Sequence, residues 1–300
     1  MKILIAGATG FVGKELVRQC HEAEISVHYL TTSKRKIEQQ EHYRGFYWNP
    51  AQNELDAAAF EGITAIVNLA GSTVAKRWTP SYKKTILESR IKATQILLQT
   101  LQKTKHEVTQ YISASGISIY PSSTQRLYTE EDSQMSDSFL AKVTLEWEAE
   151  ADRFEALNIK VAKVRTGIVL GREEGALPKI AKPIKMGVGA LLGSGDQWQS
   201  WIHLKDIAGI YLLLLTNQCS GVFNGVGPSP VIHKKMTQII AAHFHKRLWL
   251  PKIPGFMVKL LLGEMGTLVL ESQLVSAQKI IEEGYHFRYV NLEKAIEDLL

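Results

Sequence analysis

A glycine-rich segment near the N-terminus constrains the fold of this chain more than any other feature. It reads Gly-Ala-Thr-Gly-Phe-Val-Gly from Gly7 to Gly13 and follows the apolar run Ile3–Ala6. Gly7 permits a tight turn, Gly10 lets the backbone approach a ligand closely, and Gly13 lets a helix pack against the preceding strand. A helix that starts here presents free amides to an anion. The segment therefore predicts a strand, a turn and a helix that hold a dinucleotide pyrophosphate.

The context of these glycines supports the prediction, although their spacing is unusual. The pattern is GxxGxxG, one residue wider than the common GxGxxG form, and a lone glycine pattern is weak evidence. Here a strand-like run precedes it and a helical pattern of Leu16, Val17 and Cys20 follows. A glycine turn that binds nothing is the alternative interpretation. The residues of this loop that we expect to contact the dinucleotide are Gly7, Thr9, Gly10, Phe11, Val12 and Gly13.

Strand-like apolar runs alternate with helical patterns through the first two thirds of the chain. This alternation predicts an α/β fold, a Rossmann-type doubly wound parallel sheet with a smaller C-terminal α/β substrate lobe. The predicted strands are Lys2 to Ala6, Ser26 to Thr31, Ala65 to Leu69, Gln110 to Ser113 and Lys160 to Val164. The predicted helices lie near Lys14 to Ala23, Pro80 to Thr104 and Phe139 to Ala156. Right-handed crossovers bring the carboxyl ends of these strands to one edge, so we expect the ligand chemistry there.

The character of the sequence changes near residue 172, where glycines punctuate a loop-rich stretch. We predict that residues 1–170 form an NAD(P)-binding domain, with later segments returning to it, and that residues 171–300 form the substrate lobe. The lobe would include a short C-terminal domain of about residues 250–300. A helix is expected from Lys205 to Leu215 and a strand from Gly221 to Gly225. The leucine-rich clusters 260–262 and 268–270 are interpreted as core packing.

Composition and charge exclude several classes of protein. With 45% hydrophobic residues in 300, the chain can bury one large core, or one domain plus a smaller companion. No apolar run reaches the roughly 20 residues of a membrane span, and the N-terminus opens directly into a strand, so we expect a cytoplasmic protein without a membrane partner. Basic residues form short pairs without interleaved aromatics, so we predict no nucleic-acid partner. Cys20 and Cys219 have no metal-ligand spacing, so we predict reduced thiols and no metal site.

The end of the second predicted strand bears on the choice between the two nicotinamide coenzymes. In NAD-binding folds an Asp or Glu at this corner holds the ribose hydroxyls, and it would repel a 2′-phosphate. Here the corner has hydroxyl groups followed by two cations and no carboxylate. We therefore predict that NADP(H) is preferred and that NAD(H) is the second choice, with exposed loop cations as the alternative interpretation. The residues concerned are Thr31, Thr32, Ser33, Lys34 and Arg35.

Four segments together resemble the extended short-chain dehydrogenase/reductases. They are the glycine loop, Asn68-Leu69-Ala70-Gly71, Ser113-Ala114-Ser115 and Val164-Arg165-Thr166-Gly167. More narrowly, the chain resembles the "epimerase family protein" branch over nearly its whole length. The segments of that second resemblance include Lys76-Arg77-Trp78-Thr79, Glu88-Ser89-Arg90-Ile91, Trp147-Glu148, Gly175-Ala176-Leu177, Ser200-Trp201-Ile202-His203 and the stretch from Gly263-Glu264 to Asp298-Leu299-Leu300. Members of this branch have a short C-terminal domain of unknown function and are named as NAD-dependent epimerase/dehydratases.

The resemblance implies further coenzyme contacts. They are Leu69, Ala70, Gly71, Thr85, Arg90, Ser113 and Val169. Arg90 would approach the coenzyme from the helix after the third strand, whereas a helical Arg is otherwise most often a surface ion-pair partner. Val169 would line the nicotinamide pocket. The superfamily acts on small-molecule substrates and commonly forms homodimers through two long helices, and the sequence leaves the oligomeric state open.

The residues that usually transfer protons in this superfamily are missing. Its reductases use a Tyr as acid/base, a Lys four residues later, and a Ser or Thr that orients the substrate oxygen. Ser115 fits the last role, but the Tyr position falls on Phe139 and the Lys position on Val143. Lys142 cannot simply replace that Lys, because one residue along a helix turns the side chain by about 100°.

Two interpretations of the function follow. In the first, the protein is an NADP(H)-dependent oxidoreductase, epimerase or dehydratase whose proton donor is Tyr120 or His203, although either can instead be a hydrogen-bonded structural residue. Trp198 and Trp201 would then close over a substrate, with Arg165 near the mouth of its site. In the second, the chain is a catalytically inactive NADP-binding sensor or regulatory protein, whose coenzyme state controls association with a partner. The resemblance favours the first.

Overall fold

The chain folds into fifteen strands and ten α-helices, all described from Met1 to Leu300 in a computed structural model. The strands are Lys2–Ala6 (β1), Ser26–Thr31 (β2), Gln39–Gln40 (β3), Tyr43–Asn49 (β4), Glu54–Leu55 (β5), Ala65–Asn68 (β6), Gln110–Gly116 (β7), Leu127–Tyr128 (β8), Lys160–Thr166 (β9), Ile168–Leu170 (β10), Trp198–Gln199 (β11), Trp201–His203 (β12), Gly221–Gly225 (β13), Val231–Ile232 (β14) and Leu274–Val275 (β15). The helices are Phe11–Glu22 (α1), Pro80–Lys103 (α2), Phe139–Asp152 (α3), Leu177–Lys185 (α4), Leu204–Thr216 (α5), His233–His243 (α6), Gly255–Leu262 (α7), Thr267–Leu270 (α8), Gln278–Glu282 (α9) and Leu292–Leu299 (α10).

Seven parallel strands form the main sheet, in the order β13-β9-β7-β6-β1-β2-β4. The short strands β3 and β5 pair antiparallel with β4 at one edge. The strand order reverses next to β1, because the chain moves outward through β2 and β4 and then crosses back to β6. Open α/β sheets bind ligands at such a switch point, outside the carboxyl ends of the strands. The predicted Rossmann-type, doubly wound α/β fold is confirmed.

Both faces of the main sheet are buried, which explains why its strands read as nearly continuous apolar runs. Alternate side chains of β1 enter different cores. Ile3 and Ile5 join the core beneath α1 and α5, whereas Leu4 and Ala6 join the core beneath α2 and α3. All four are fully shielded from solvent. Truncating one such isoleucine to alanine would cost about 2–5 kcal/mol, so the burial of β1 contributes substantially to stability.

Capping residues set where the two long helices begin. The hydroxyl of Thr79 accepts a hydrogen bond from the amide of Tyr82 at 3.2 Å, and Pro80 follows at the first position of α2. Ser138 caps α3 in the same way by accepting from the amide of Ala141 at 3.2 Å. Each cap contributes about 1 kcal/mol. Together they fix the ends of the helices that flank the site.

The C-terminal third builds a further layer beyond the carboxyl edge of the sheet. Helices α4, α6 and α10 share a core with Leu170 and Trp201. Two short ladders connect this layer to segments that leave the main sheet. Strand β14, which comes after β13, pairs with β11, and β8, which comes after β7, pairs with β15. Residues 204–225 belong to the sheet layer, since α5 packs on α1 and β13 is the terminal parallel strand. A division of the chain at residue 170 stays a prediction.

The predicted elements lie close to the observed ones, with two kinds of difference. The strands that start at Gln110 and Lys160 continue to Gly116 and Thr166, beyond their predicted ends. The strand β4 is missing from the prediction, because polar and glycine residues interrupt its apolar pattern. The predicted strand Gly221–Gly225 is present as β13.

The prediction that the leucine cluster 260–262 packs in the core is wrong. Leu260 and Leu261 are 78% and 68% exposed, and Phe256 on the same helix is 72% exposed. Only Val258 of α7 is buried. Consecutive residues on a helix point about 100° apart, so a leucine triplet cannot face one core. Even with this apolar surface, none of the ten helices has both the length and the apolar character needed to cross a membrane.

Candidate functional site

An open cleft of about 580 Å³ lies at the switch point of the sheet, beside the ends of β1, β2 and β6. Its walls also include the end of β4 and one face of α2. The predicted coenzyme contacts that line it are Gly7, Thr9, Gly10, Thr31, Thr32, Ser33, Leu69, Ala70, Gly71 and Thr85. The sheet therefore brings residues from four separate segments of the chain to one surface.

Close backbone approaches require two glycines of the loop. Gly7 has a φ of +90°, and a Cβ there would lie 2.9 Å from the carbonyl carbon of Leu69. A Cβ on Gly13 would lie 2.1 Å from the carbonyl oxygen of Gly7. Both distances are well below van der Waals contact, so only glycine fits without movement of the backbone. Gly10 differs, since a Cβ there would meet only the Gly7 oxygen, at 3.2 Å. Gly10 lines the cleft, so the lack of a side chain at this position leaves the cleft open next to the loop.

The first turn of α1 leaves its amides free beside the cleft. Gly10 is the N-cap residue and supplies no side-chain cap, and the first turn has no acidic residue. The amides of Phe11, Val12 and Gly13 donate no hydrogen bond to protein atoms. An uncapped helix N-terminus combines partial positive charge with unsatisfied donors, which is the arrangement that binds a pyrophosphate. The loop therefore fits the group that the sequence predicts.

The segment after β2 presents hydroxyl groups and one lysine to the cleft, while the roles predicted for Lys34 and Arg35 stay predictions. Lys34 lies over the ring of Tyr47 at 5.0 Å, and Arg35 is exposed and does not line the cleft. Lys36 lines it instead. Lys34, Arg35 and Lys36 form one turn of 3₁₀ helix. Successive side chains of such a turn point in three different directions, and here only that of Lys36 points to the cleft. No carboxylate from this segment reaches the cleft.

Helix α2 adds an ion pair to the cleft wall that the sequence analysis missed. Glu88 and Lys92 both line the cleft, and the Lys92 ammonium donates to the Glu88 carboxylate at 3.0 Å. This hydrogen bond, with the charges of Lys92 and Lys84, lowers the pKa of Glu88. Glu and Lys four residues apart on a helix face are the sequence signal that could have revealed the pair. Because their charges offset each other, the unbalanced charge on the cleft wall is that of Lys36.

Arg90 lies where the cleft meets a second, smaller cavity. A Cβ on Gly71, which lines the cleft, would lie 3.1 Å from its guanidinium carbon, and Arg90 itself lines the second cavity. Its Nη1 donates to the carbonyl oxygens of Ser72 at 3.1 Å and Ile86 at 2.9 Å, and the guanidinium lies over the Trp147 ring at 5.0 Å. No carboxylate pairs with it, and burial lowers the pKa of Arg90 to about 10. The remaining Nε and Nη2 groups are therefore available to an anion or a carbonyl group.

The second cavity has a volume of about 250 Å³. It lies between α3, the ends of β7 and β9, and the C-terminal part of the chain. Its apolar lining includes Ile117, Leu140, Val143, Trp147, Ile168, Trp198 and Leu268, and its polar lining includes Ser115, Ser118, Thr144, Thr166, Gln199, Ser200, Thr267 and Gln273. Two ionisable side chains, Arg90 and Glu271, line it, and no Tyr, His, Lys or Cys does.

Ser115 lines this cavity and is tied to a buried ion pair. Its hydroxyl donates to Oε1 of Glu148 at 2.5 Å. Arg165 on β9 donates to both carboxylate oxygens of Glu148, from Nε and Nη2, at 2.9 Å each. Burial acts to raise the pKa of Glu148, but the hydrogen bonds and charge of Arg165 outweigh it and hold that pKa below its ordinary value. Because the Ser115 proton is engaged, its oxygen is left to accept a hydrogen bond from a ligand.

Tyr120, a predicted proton donor, lies in the core and does not line the cavity. Its side chain is fully buried. The hydroxyl donates to Oδ1 of Asn224 at 2.8 Å and accepts from Nη1 of Arg165 at 3.0 Å. Burial raises the pKa of Tyr120. A hydroxyl held in this way braces the ion pair of Arg165 and cannot reach a ligand.

His203, the other predicted proton donor, caps a helix and lines neither the cleft nor the cavity. Its side chain is 1% exposed. The Nδ1 atom accepts from the amide of Lys205 at 3.0 Å, at the start of α5. The ring stacks on Tyr289 at 3.8 Å, and Nε2 lies 3.3 Å from Oδ2 of Asp298. Burial lowers the pKa of His203, and the charges of Asp298 and Asp206 offset this only in part. The alternative interpretation, a structural histidine, matches this placement.

Two further expectations about the substrate side are wrong. Trp201 is fully buried and donates from Nε1 to the carbonyl oxygen of Ser229 at 2.8 Å, so it cannot close over a ligand. Arg165 is 4% exposed because it pairs with Glu148, and it does not lie at the mouth of the cavity. Trp198 does line the cavity.

Besides Lys34 and Arg35, the predicted coenzyme contacts whose side chains line neither the cleft nor the cavity are Phe11, Val12, Ser113 and Val169. Ser113 is 1% exposed, and its hydroxyl donates to the neighbouring carbonyl oxygen at 2.9 Å. Val169 lies in the β10–β12 ladder, and its neighbour Ile168 lines the cavity instead. The ring of Phe11 packs against Gly175, where a Cβ would lie 2.8 Å from it. Phe11 therefore offers the cleft its amide and not its side chain.

The two positions where the resemblance places Tyr and Lys are apolar and packed. Val143 lines the cavity and is 3% exposed. Phe139 meets the ring of Trp78 at 5.3 Å in an edge-on arrangement, and the Lys83 ammonium lies over its ring at 4.8 Å. Positions 139 and 143 of α3 therefore provide no group that could exchange a proton with a ligand in the cavity.

The parallel sheet, the glycine loop and the uncapped helix define a dinucleotide-binding protein of the Rossmann class. The model of the NAD dependent epimerase/dehydratase family matches residues 3–226, and a domain of unknown function, DUF1731, matches residues 253–299. The chain belongs to the NAD dependent epimerase/dehydratase family. An epimerase family protein of Staphylococcus aureus strain MRSA252 is 35% identical over 305 residues, which cover 99% of this chain and 98% of the relative. One from Staphylococcus haemolyticus is 35% identical over 302 residues, which cover 100% and 99%.

Solved structures confirm the resemblance to the epimerase branch of the extended short-chain dehydrogenase/reductases. The human epimerase family protein SDR39U1 (isoform 2), solved with NADPH, matches with a TM-score of 0.85 and 28% identity, covering 100% of this chain and 99% of that chain. A nucleoside-diphosphate sugar epimerase from Corynebacterium glutamicum matches with a TM-score of 0.80 and 27% identity, covering 100% of this chain and 58% of that chain. A UDP-glucuronic acid 4-epimerase from Bacillus cereus has a TM-score of 0.80 at 16% identity and shares the fold.

Proposed function

We propose that the protein binds NADP(H) in the cleft and acts as an oxidoreductase, epimerase or dehydratase on a small molecule in the adjoining cavity. The observation that supports this most is the junction at Arg90, a partly buried cation without a carboxylate partner between the two spaces. A coenzyme whose phosphates lie on α1 and whose nicotinamide end reaches Arg90 would meet a ligand beside Ser115. When bound, the nicotinamide supplies reversible hydride transfer.

The choice of NADP(H) rests on charge at the adenosine end of the cleft. No carboxylate from the segment after β2 lines the cleft, and Lys36 adds a cation there, so a 2′-phosphate would meet a net attraction. The amides of Phe11, Val12 and Gly13 would hold the pyrophosphate. The human epimerase family protein SDR39U1, solved with NADPH, is 28% identical to this chain over the whole length of this chain.

The size and lining of the cavity favour a substrate that presents a hydroxyl or carbonyl group to it. Its volume of about 250 Å³ lies just below the common range for ligand pockets. Its lining mixes hydroxyl and amide groups with tryptophan and leucine side chains. Ser115 would orient the substrate oxygen, by accepting a hydrogen bond from a hydroxyl group while Glu148 holds its own proton.

A second candidate function is an NADP-binding sensor without turnover, which the lack of Tyr, His and Lys in the cavity favours. Purified protein with NADPH would be assayed against aldehydes, ketones and nucleoside-diphosphate sugars, both by loss of reduced-nicotinamide absorbance and by product analysis. We expect turnover of at least one class and a drop of about tenfold to a hundredfold in Ser115→Ala. Tight NADPH binding with no turnover of any class would contradict the proposal and favour the sensor.

A further inference from the structure

The proton needed by the proposed chemistry has one plausible source in the cavity lining. Carbonyl reduction and hydroxyl oxidation both need a group that exchanges a proton near neutral pH. Of the two ionisable side chains in the lining, Arg90 stays protonated, because its pKa is lowered only to about 10. Two of its N–H groups are also engaged by carbonyl oxygens. Glu271 is the remaining ionisable group.

Glu271 reaches the cavity from the C-terminal segment. It follows α8, and its amide donates to the carbonyl oxygen of Thr267 at 2.9 Å, which fixes its backbone at the helix end. Thr267, Leu268 and Gln273 from the same segment also line the cavity. Residues 253–299, the domain of unknown function, therefore contribute the only carboxyl group of the cavity lining.

The Glu271 carboxyl differs from other carboxyl groups nearby because it has no partner. It takes part in no hydrogen bond or ion pair with the protein. In contrast, Glu264 in the same segment pairs with Lys83. Glu148 is held by Arg165, which keeps its pKa low and its carboxylate ionised. An unpaired, half-buried carboxyl that faces a ligand cavity is free to bond with a ligand.

The surroundings of Glu271 suit a group that is protonated part of the time. Burial raises the pKa of Glu271, and the charge of Lys259 on α7 offsets this only in part. The other charge in the cavity lining is the guanidinium of Arg90 on α2. A carboxyl with a raised pKa keeps a larger protonated fraction toward neutral pH, where a general acid is most effective.

We propose that Glu271 exchanges the proton with the substrate oxygen in this cavity, in place of the missing Tyr and Lys. The inference rests on the proposed function, because it assumes a substrate beside Ser115. In carbonyl reduction, the Glu271 O–H bond breaks as the carbonyl oxygen gains the proton, and the C=O π pair becomes the new O–H bond. NADPH, when bound, would supply the hydrogen and electron pair that the carbonyl carbon gains. The carboxylate left on Glu271 then takes a proton from water, and the oxidising direction reverses these steps.

The first test needs no substrate. Protein with ¹³C-labelled glutamate carboxyl groups would be titrated by NMR without coenzyme, and the Glu271 signal would be assigned by its loss in Glu271→Gln. We expect this carboxyl to titrate above the ordinary value of about 4.3. The control variant Glu264→Gln removes a carboxylate that already has a partner, and it should leave the Glu271 titration unchanged. A Glu271 carboxyl that titrates at or below the ordinary value would overturn the proposal.

The second test uses whichever carbonyl or sugar nucleotide the wild-type protein turns over. Glu271→Gln keeps the shape and loses the proton, so we expect kcat to fall by about 10²–10⁴-fold while KM changes little. Glu271→Asp should restore part of the rate, and Glu264→Gln should match the wild type. Turnover by Glu271→Gln with the wild-type rate and pH profile would overturn this inference alone. Absence of turnover in the wild type, with NADPH bound, would overturn the proposed function and the inference with it.

Discussion

The coenzyme cleft and the adjoining cavity are built in different ways. The cleft uses backbone groups of short continuous segments, above all the glycine loop and the first turn of α1. The cavity uses residues from seven separate segments, including the C-terminal domain, and the Ser115 hydroxyl that lines it is held by the buried pair of Glu148 and Arg165. A backbone site is sensitive to the size of any added side chain, whereas a side-chain site is sensitive to charge and hydrogen bonding. Substitutions that separate these two sensitivities test the comparison.

Breaking the buried ion pair should have the largest effect on stability. Arg165→Met would leave the Glu148 carboxylate buried without its partner, so we expect the free energy of unfolding to fall by about 3–5 kcal/mol. Urea denaturation followed by circular dichroism would measure it. Arg153→Met, which breaks the exposed pair with Glu150, should cost under about 1 kcal/mol. A loss of similar size in both variants would show that the buried pair has no special role.

Adding one carbon to the glycine loop should have the next largest effect. Gly13→Ala places a Cβ 2.1 Å from the carbonyl oxygen of Gly7, so the loop must move at a cost of about 3 kcal/mol. We expect NADPH binding, measured by calorimetry, to be lost along with this stability. Gly255→Ala is the matched control, because its Cβ would have no neighbour closer than 3.7 Å. Normal NADPH affinity in Gly13→Ala would contradict the backbone nature of the cleft.

Removing the cation between the two spaces should weaken coenzyme binding. Arg90→Met keeps much of the packing on Trp147 but removes the charge, so we expect the Kd for NADPH to rise by about 10- to 100-fold. Lys103→Met removes an exposed cation from the far end of the same helix and should leave the Kd unchanged. Equal affinities in the two variants would show that Arg90 does not contact the coenzyme.

The smallest expected effect concerns selectivity between coenzymes. Lys36→Glu reverses the one unbalanced charge on the cleft wall, so we expect NADPH to bind about tenfold more weakly with little change for NADH. Arg35→Glu is the neighbouring control, because Arg35 does not line the cleft. If Arg35→Glu weakens NADPH binding more than Lys36→Glu does, Arg35 and not Lys36 is the cation that binds the 2′-phosphate.

The cleft was largely predictable because its elements are local. A strand, a glycine turn and a helix within residues 2–22 are enough to place Gly7, Gly10 and Gly13. The hydroxyl groups of residues 31–33 follow at the end of β2, the next strand in the chain and the neighbour of β1 in the sheet. The choice of cation was not predictable. Which of three consecutive basic residues faces inward depends on one turn of 3₁₀ helix, and the sequence does not set its direction.

The cavity was much less predictable because its members are distant in sequence. Tyr120 and His203 have the right chemistry for proton transfer, but tertiary packing turns both hydroxyl and imidazole into the core. Glu271 lies in a segment with no recognisable motif, and only the folded chain places it beside α3. The pairing of Glu148 with Arg165 could have been suspected, since both lie in segments that resemble the family. The separation of the two residues in the sequence, however, does not predict that they contact each other.

The most direct test of the central claim is the electron density of the protein crystallised with NADPH. We predict that the pyrophosphate accepts hydrogen bonds from the amides of Phe11 and Val12, and that the nicotinamide ring reaches past Arg90 into the cavity that Ser115 and Glu271 line. A coenzyme bound with its nicotinamide outside that cavity would contradict the claim that the cleft and the cavity form one site.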